Sequence, residues 1–432
     1  MNKSQLFLSS LIMFIFLFNG LLMFYLIEPG YVNVHDTQID ANNANLKGSG
    51  VNLLWNYTTG DDVNSVAISS NGEYIAAGSD DNNTYLFNHT QSTSKIPIWN
   101  NKTGAAVKTL SMSSDGEYIV AGSNDNNIYL YNRSHSKPIW NYTIGDNVRA
   151  VSISSDKNYI VAASNNNKIS FLKNSSSSPL WNYTMENIVN SVAISSDGKY
   201  IVVGSDNHKI SVFYKTSNDI RWNFTTFDDV ETVAISADGN YIVAGSEDNV
   251  VYLFHGPSIG PEWEYTTGNG VTSVAISTNG KYIVVGSNDN TTYLFDKSSN
   301  IPIWAYKCEA AVVSVAISAN DEHIVVGSRD NRTYLFTVSN AQPIWSYSTE
   351  GEVVTVAISS NGNYFTVGST DNQVYLFRWT PTIAIDDDDD DLDIDFGENA
   401  IPFGNYYLSF TLISVLSLIL IKRKKLSSKH KI

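Results

Sequence analysis

The sequence predicts an all-β fold, an eight-bladed β-propeller of four-stranded antiparallel blades, flanked by N- and C-terminal transmembrane segments. Three observations carry that prediction. One unit recurs eight times over residues 51–380, each unit holds four short strand-like runs, and an apolar run long enough to cross a bilayer lies at either end.

The repeat is counted on two landmarks. The Trp of a W-x-Y element stands at Trp55, Trp99, Trp140, Trp181, Trp222, Trp263, Trp304 and Trp345, first 44 residues apart and then 41. The small residue before Ser in Y-I-V-x-G-S stands at Gly78, Gly122, Ala163, Gly204, Gly245, Gly286, Gly327 and Gly368, with the same spacings. In the unit around Ser273, the runs 273–277, 282–287, 292–295 and 302–306 are rich in Val, Ile, Tyr and Phe and too short for helices, so each reads as a strand. Asn279-Gly280 joins the first two, and Asn71-Gly72, Asp115-Gly116, Asp197-Gly198, Asp238-Gly239 and Asn361-Gly362 stand at the same place elsewhere. Such dipeptides supply the positive φ angles of a tight hairpin. Asp289-Asn290 and its counterparts turn the chain between the second and third runs. Val274 and Ile276 point one way and Ala275 the other, a small residue suited to the innermost strand, where blades converge. The run 282–285 is apolar without alternation, as a strand covered on both faces requires.

The string V-x-S-V-A-I-S-x-D-G-x-Y-I-V-x-G-S-x-D-N-x-x-Y-L-F resembles a WD-repeat propeller, and the resemblance covers residues 51–380. Two departures matter. No Gly-His dipeptide precedes the first strand, and the third strand ends in residues such as Phe87, Tyr131, Phe254 and Phe295 instead of Trp-Asp, so that family's hydrogen-bonded tetrad does not carry over. The W-x-Y element is also similar to the Trp-docking repeats of eight-bladed quinoprotein propellers.

Along the chain, residues 1–30 hold an apolar run, 6–27, which as a helix spans about 33 Å, enough to cross a bilayer. No small-x-small cleavage site stands out, so a signal anchor and a cleaved signal peptide are both open. Residues 31–50 read as a linker. The propeller, 51–380, is expected to close with both ends of the chain. Unit eight ends at Phe377 with three strands, while 53–57 is a W-x-Y strand with no unit before it, and pairing the two removes two sheet edges. Trp379 follows Phe377 too closely to supply that strand.

Residues 381–400 form an acidic stalk with consecutive Asp at 386–391, 401–421 a second apolar helix, and 422–432 a basic tail. Lys422, Arg423, Lys424 and Lys425 mark the cytoplasmic side. That order resembles the acidic-stalk, apolar-helix, basic-tail anchor of archaeal and other prokaryotic surface proteins. It implies a protein of the cell membrane with the propeller extracellular and the C-terminal tail cytoplasmic. N-x-[ST] sequons from Asn56 to Asn331 make the exposed domain a candidate glycoprotein, although their number is near what composition alone yields.

Formal net charge is −16, of which the propeller carries about −12. A surface of that sign argues against nucleic acid, whose binding rests on neutralising phosphates. Cys308, the lone cysteine, excludes an internal disulfide framework and a cysteine-rich zinc site. The seven His are scattered without ligand spacing, and no H-E-x-x-H, G-x-S-x-G or P-loop string occurs. No catalytic residue, metal or cofactor is therefore expected.

Two functions fit. The first is a protein- or glycan-binding scaffold module tethered to the membrane. The alternative, implied by the second resemblance, is a quinoprotein-like (PQQ-type) extracytoplasmic oxidoreductase, whose ligands for cofactor and calcium would break the repeat at the central channel. The inner strands read alike in all units, which favours the first. In the propellers this chain resembles, the loops entering the innermost strand and those joining the second and third strands open on one face. Here the entry loops vary (TTGDDV, TMENIV, KCEAAV, STEGEV) while the strands stay nearly constant. The face carrying Asp61, Asp62, Asp81, Asp146, Asp228, Asp229 and Glu352 is thus expected to be an acidic docking surface for a cationic or hydroxyl-rich partner.

Overall fold

The computed structural model describes residues 50–90, 96–256, 258 and 260–381, together with 17–18 and 21–22. The chain divides into Met1–Gly48 and Ser49–Ile432. In the first unit Leu17–Phe18 pairs antiparallel with Leu21–Leu22, a ladder where the apolar run predicts helix. The remainder of the two expected membrane segments, the linker, the stalk and the tail lie outside the described residues. Among those described, no helix is long and apolar enough to cross a membrane.

Blade one consists of Val63–Ile68, Tyr74–Ser79, Asn83–Asn88 and Trp99–Lys102, hydrogen-bonded in that order from the inside outward. Blades two to seven repeat it, with inner strands Val107–Met112, Val148–Ile153, Val189–Ile194, Val230–Ile235, Val271–Ile276 and Val312–Ile317. The sixth inner strand thus starts at Val271, ahead of the predicted 273, because its ladder passes over a bulge at Thr272. Blade eight takes Val353–Ile358, Tyr364–Ser369 and Gln373–Trp379 from the end of the chain and Val51–Thr58 from its start. Val51 faces Trp379, Trp55 faces Leu376 and Thr58 faces Gln373, which is the expected closure. Gly50 accepts the Thr380 N–H at 2.8 Å, so both chain ends leave the ring side by side.

Local chemistry explains the blade. The hairpin between the first two strands needs a left-handed residue, supplied by Gly362 in blade eight (φ 71°) and by its counterparts. In blades three and seven Lys157 and Asp321 adopt the same conformation at φ 61°. The second strands are buried nearly throughout. A Cβ on Gly78 would meet Val107 of the next blade at 2.5 Å, which is why the smallest residue sits there.

Each inner strand presents an edge to the channel, and hydroxyls from the neighbouring blade satisfy part of it. Ser65 accepts the Leu110 N–H at 3.0 Å, Ser111 that of Ile153 at 3.2 Å, and Thr355 closes the circle by accepting that of Val66 at 3.4 Å.

At the hairpin end of the channel lies a cavity of about 420 Å³ lined by Ser70, Ser114, Ser155, Ser196, Thr278, Ser360 and a few Ile and Ala. Neighbouring blades are also joined by cations lying over tyrosine rings. Arg133 lies 4.9 Å over the Tyr74 ring, Lys215 4.9 Å over Tyr159 and Lys297 4.2 Å over Tyr241. Blade seven breaks that pattern with a buried His323, whose ring lies 4.3 Å from Trp379.

Candidate docking face

One hydrogen-bonded set, repeated in most blades, places the entry loop on top of the turn between the second and third strands. In blade one the Asp81 carboxylate accepts the Gly60 N–H at 2.7 Å, the Asn83 N–H at 2.8 Å and the Tyr85 hydroxyl at 2.5 Å. The buried Ser79 hydroxyl donates to Asp61 O at 2.9 Å and accepts the Asp81 N–H. Asp125, Asp248, Asp289, Asp330 and Asp371 each hold the entry loop of their own blade in the same way. Loop and turn therefore do share a face.

That geometry corrects one expected site residue. Asp81 is not a free surface carboxylate, because its oxygens already serve four donors, the Asn83 side-chain amide at 3.1 Å being the fourth. Burial works against its charge, yet the bonds from Tyr85, Gly60 and Asn83 outweigh it and hold the carboxyl below its ordinary value. Asp61 is exposed, and Asp62 is half-buried beside it. Burial, Asp61 and Asp80 push the Asp62 carboxyl up, while Lys108, bonded to Asp80 at 2.5 Å, opposes them. Asp146 caps its own loop by accepting the Asn147 N–H at 2.7 Å. Glu352 lies 3.7 Å from Arg329, both half-exposed.

The repeat breaks most sharply between blades four and five. In the loop entering blade five, Phe227 stands where other units have Gly60, Gly104, Gly145 or Gly268, and its ring is 93% exposed. Asp228 and Asp229 follow, and His208 of the blade-four turn reaches them, with Nδ1 3.1 Å from an Asp229 oxygen. Burial, then Asp206, push the Asp229 carboxyl up. Glu231, on the inner strand just beyond, is raised by burial, Glu247 and Asp206. Carboxylates crowd here beyond the cations at hand, so the loops form a negative concentration that attracts positive charge.

Several of these residues escaped the sequence reading. His208 shows no ligand spacing in the sequence, yet folding brings it to two carboxylates, and its signal is that the seven other units carry Asn at its place. Phe227 was equally visible as a large residue at a Gly position. The inner strands also prove less uniform than they read. Their second residues, Asn64, Lys108, Arg149, Asn190, Glu231, Thr272, Val313 and Val354, sit where the ladder to the second strand skips a residue. Bulges of this kind re-aim a side chain. Asn64 donates to Val107 O of the next blade at 3.1 Å and Asn190 to Val230 O at 3.3 Å. Cys308 is 5% exposed, and burial pushes its thiol up to about 12, so it is not a reactive group.

Residues 52–88, 95–132, 178–213 and 221–255 match the family described as WD domain, G-beta repeat. Residues 248–378 match the family described as outer membrane protein assembly factor BamB. No curated protein matches the chain. Among solved structures, the crystal structure of the computationally designed Ika8 protein is similar at a TM-score of 0.66 and 14% identity, covering 74% of this chain and 97% of that one. At that identity the likeness is one of fold. The class is an eight-bladed β-propeller with repeats similar to the WD type.

Proposed function

We propose that this propeller is a membrane-tethered binding module that offers its acidic loop face to a cationic protein segment and catalyses no reaction. The observation that carries the proposal is the loop at 227–229. A fully exposed aromatic ring flanked by two carboxylates breaks the repeat at one blade, which is the composition of an interface anchor in a charged rim. The chain ends support it. They leave beside Val51 and Trp379, at the far end of the strands from Thr58 and Gln373, so neither end of the ring covers the loop face. One matching family takes its name from an assembly factor, a role that fits a binding module. The oxidoreductase alternative draws on the charged inner-strand residues Lys108, Arg149 and Glu231, but the cavity at the hairpin end of the channel is lined by small hydroxyls and aliphatic groups with neither carboxylate nor cation.

The test uses the full chain in detergent and basic and acidic peptides of equal length. Basic peptides are expected to bind, more weakly as salt rises, because exposed charges act through a screened field. Phe227→Gly, which installs the residue other units carry, is expected to weaken binding about thirtyfold. Charge reversal at Asp61, Asp62, Asp228 and Asp229 should abolish the salt dependence. Unchanged binding by both variants at low ionic strength, with the β circular dichroism intact, would rule this face out.

A further inference from the structure

The same face holds a set of metal-ligating atoms that the turn does not need. His208 occupies the left-handed position of its turn at φ 59°, where Asn82, Asn126, Asn167, Asn249, Asn290, Asn331 and Asn372 do the same in the other blades. Asn is thus sufficient for that backbone, and the imidazole adds something else. Its Nδ1 lies 3.1 Å from an oxygen of Asp229 and 3.9 Å from one of Asp228. Ligand atoms from all three side chains lie within 4.8 Å of one another.

Neither carboxylate is tied to the bond that fixes the loop. That task falls to Asp248, which accepts the Phe227 N–H at 3.0 Å. Asp228 accepts the Asp229 N–H at 2.9 Å with one oxygen. That oxygen is also the one that lies 3.9 Å from His208 Nδ1, and it keeps a second lone pair for a ligand. Asp206 and Glu231 add negative charge around the trio. A divalent cation relieves that crowding.

We propose that His208, Asp228 and Asp229 form a surface site for Zn²⁺, with one imidazole nitrogen and two carboxylate oxygens as protein ligands and the remaining position open to water. A nitrogen donor beside two oxygens suits Zn²⁺, whereas Mg²⁺ and Ca²⁺ take all-oxygen shells. In a tetrahedral shell, ligands bound at about 2.1 Å sit about 3.4 Å apart, so these surface side chains need to close by at most about 1.4 Å, within the reach of rotamer adjustment. The site does not depend on peptide docking at this face, since the ion itself is the ligand.

Calorimetric titration of the full chain with Zn²⁺ and with Mg²⁺ tests it. Any cation uptake by the Asp run at 386–391 is common to every variant, so the difference between variants reports the site. His208→Asn installs the residue of the other seven turns and keeps the fold. It is expected to lose one saturable Zn²⁺ site or to weaken it at least about tenfold, with Asp228→Asn and Asp229→Asn each weakening it as well. Zn²⁺ is also expected to shift the ¹⁵N resonance of the His208 Nδ1. Identical Zn²⁺ isotherms for the unaltered chain and His208→Asn would overturn the proposal. So would Mg²⁺ competing at the same concentration as Zn²⁺, which would mean an acidic patch that attracts any cation.

Discussion

Trp55→Ala tests whether the ring is held shut by the first strand of the domain. Trp55 lies on the strand that the start of the chain lends to blade eight, and it is 6% exposed. Its ring centroid is 4.9 Å from that of Phe87 in blade one, and it shares a cluster with Val63, Val66, Ile75, Val374 and Leu376. The strand runs on covalently into blade one, so the join without a covalent connection is its pairing with Gln373–Trp379, where Trp55 packs against Val374 and Leu376. Truncating a buried Trp costs about 3–5 kcal/mol. That is a large part of the roughly 5–15 kcal/mol by which domains are stable. Deleting residues 31–45, in the expected linker, should stay within about 0.5 kcal/mol. Urea unfolding of the full chain in detergent, followed by far-ultraviolet circular dichroism, reads both. The account predicts a much lower midpoint for Trp55→Ala and an unchanged one for the deletion. A Trp55→Ala protein that unfolds with the unaltered chain, or a deletion that costs as much, would refute closure by this strand.

Two other predictions follow from the seam and the ends. His323 is 2% exposed, its Nδ1 has no hydrogen-bond partner, and burial holds its pKa below the ordinary 6.5. The unfolded chain therefore takes up a proton that the folded ring refuses, so the stability present above about 6.5 is lost as pH falls through that value toward the depressed one. His323→Tyr, the residue of the other blades, is expected to flatten the fall in melting temperature between neutral pH and about pH 5; an unchanged slope would show that His323 does not contribute. For topology, protease added outside intact cells should remove the propeller and spare a tag at Ile432, as the basic cluster at 422–425 implies. Digestion of the tag with survival of the propeller would reverse the orientation.

The fold was legible because each blade repeats a complete local instruction. Tight-turn dipeptides, an uninterrupted apolar second strand and the spacing of Trp55 to Trp345 recur often enough that any one lapse is outvoted. The closure was legible from a deficit, three strands in unit eight and a spare one at 53–57. The site was less so. Charge counting grouped Asp81 with its exposed neighbours, because a sequence does not show that Gly60, Asn83 and Tyr85 all point at one carboxylate. His208 lies 20 residues from Asp228, and only the stacking of blade four's turn under blade five's loop brings them together. The bulge residues were hidden for a similar reason, since a register shift depends on both strands of the pair.

The docking claim is tested most directly by placing a photo-crosslinking amino acid at one of two exposed positions on opposite faces. Phe227, 93% exposed, marks the loop face, and Ile301, 74% exposed, lies in the connection from the third to the outer strand of blade six, on the other face. Irradiated in cells that make the full chain, the probe at position 227 should yield a discrete protein adduct that disappears when Asp228 and Asp229 are reversed in charge. The probe at 301 should yield none. An adduct from 301 and not from 227, or one at 227 that survives the charge reversal, would contradict the account.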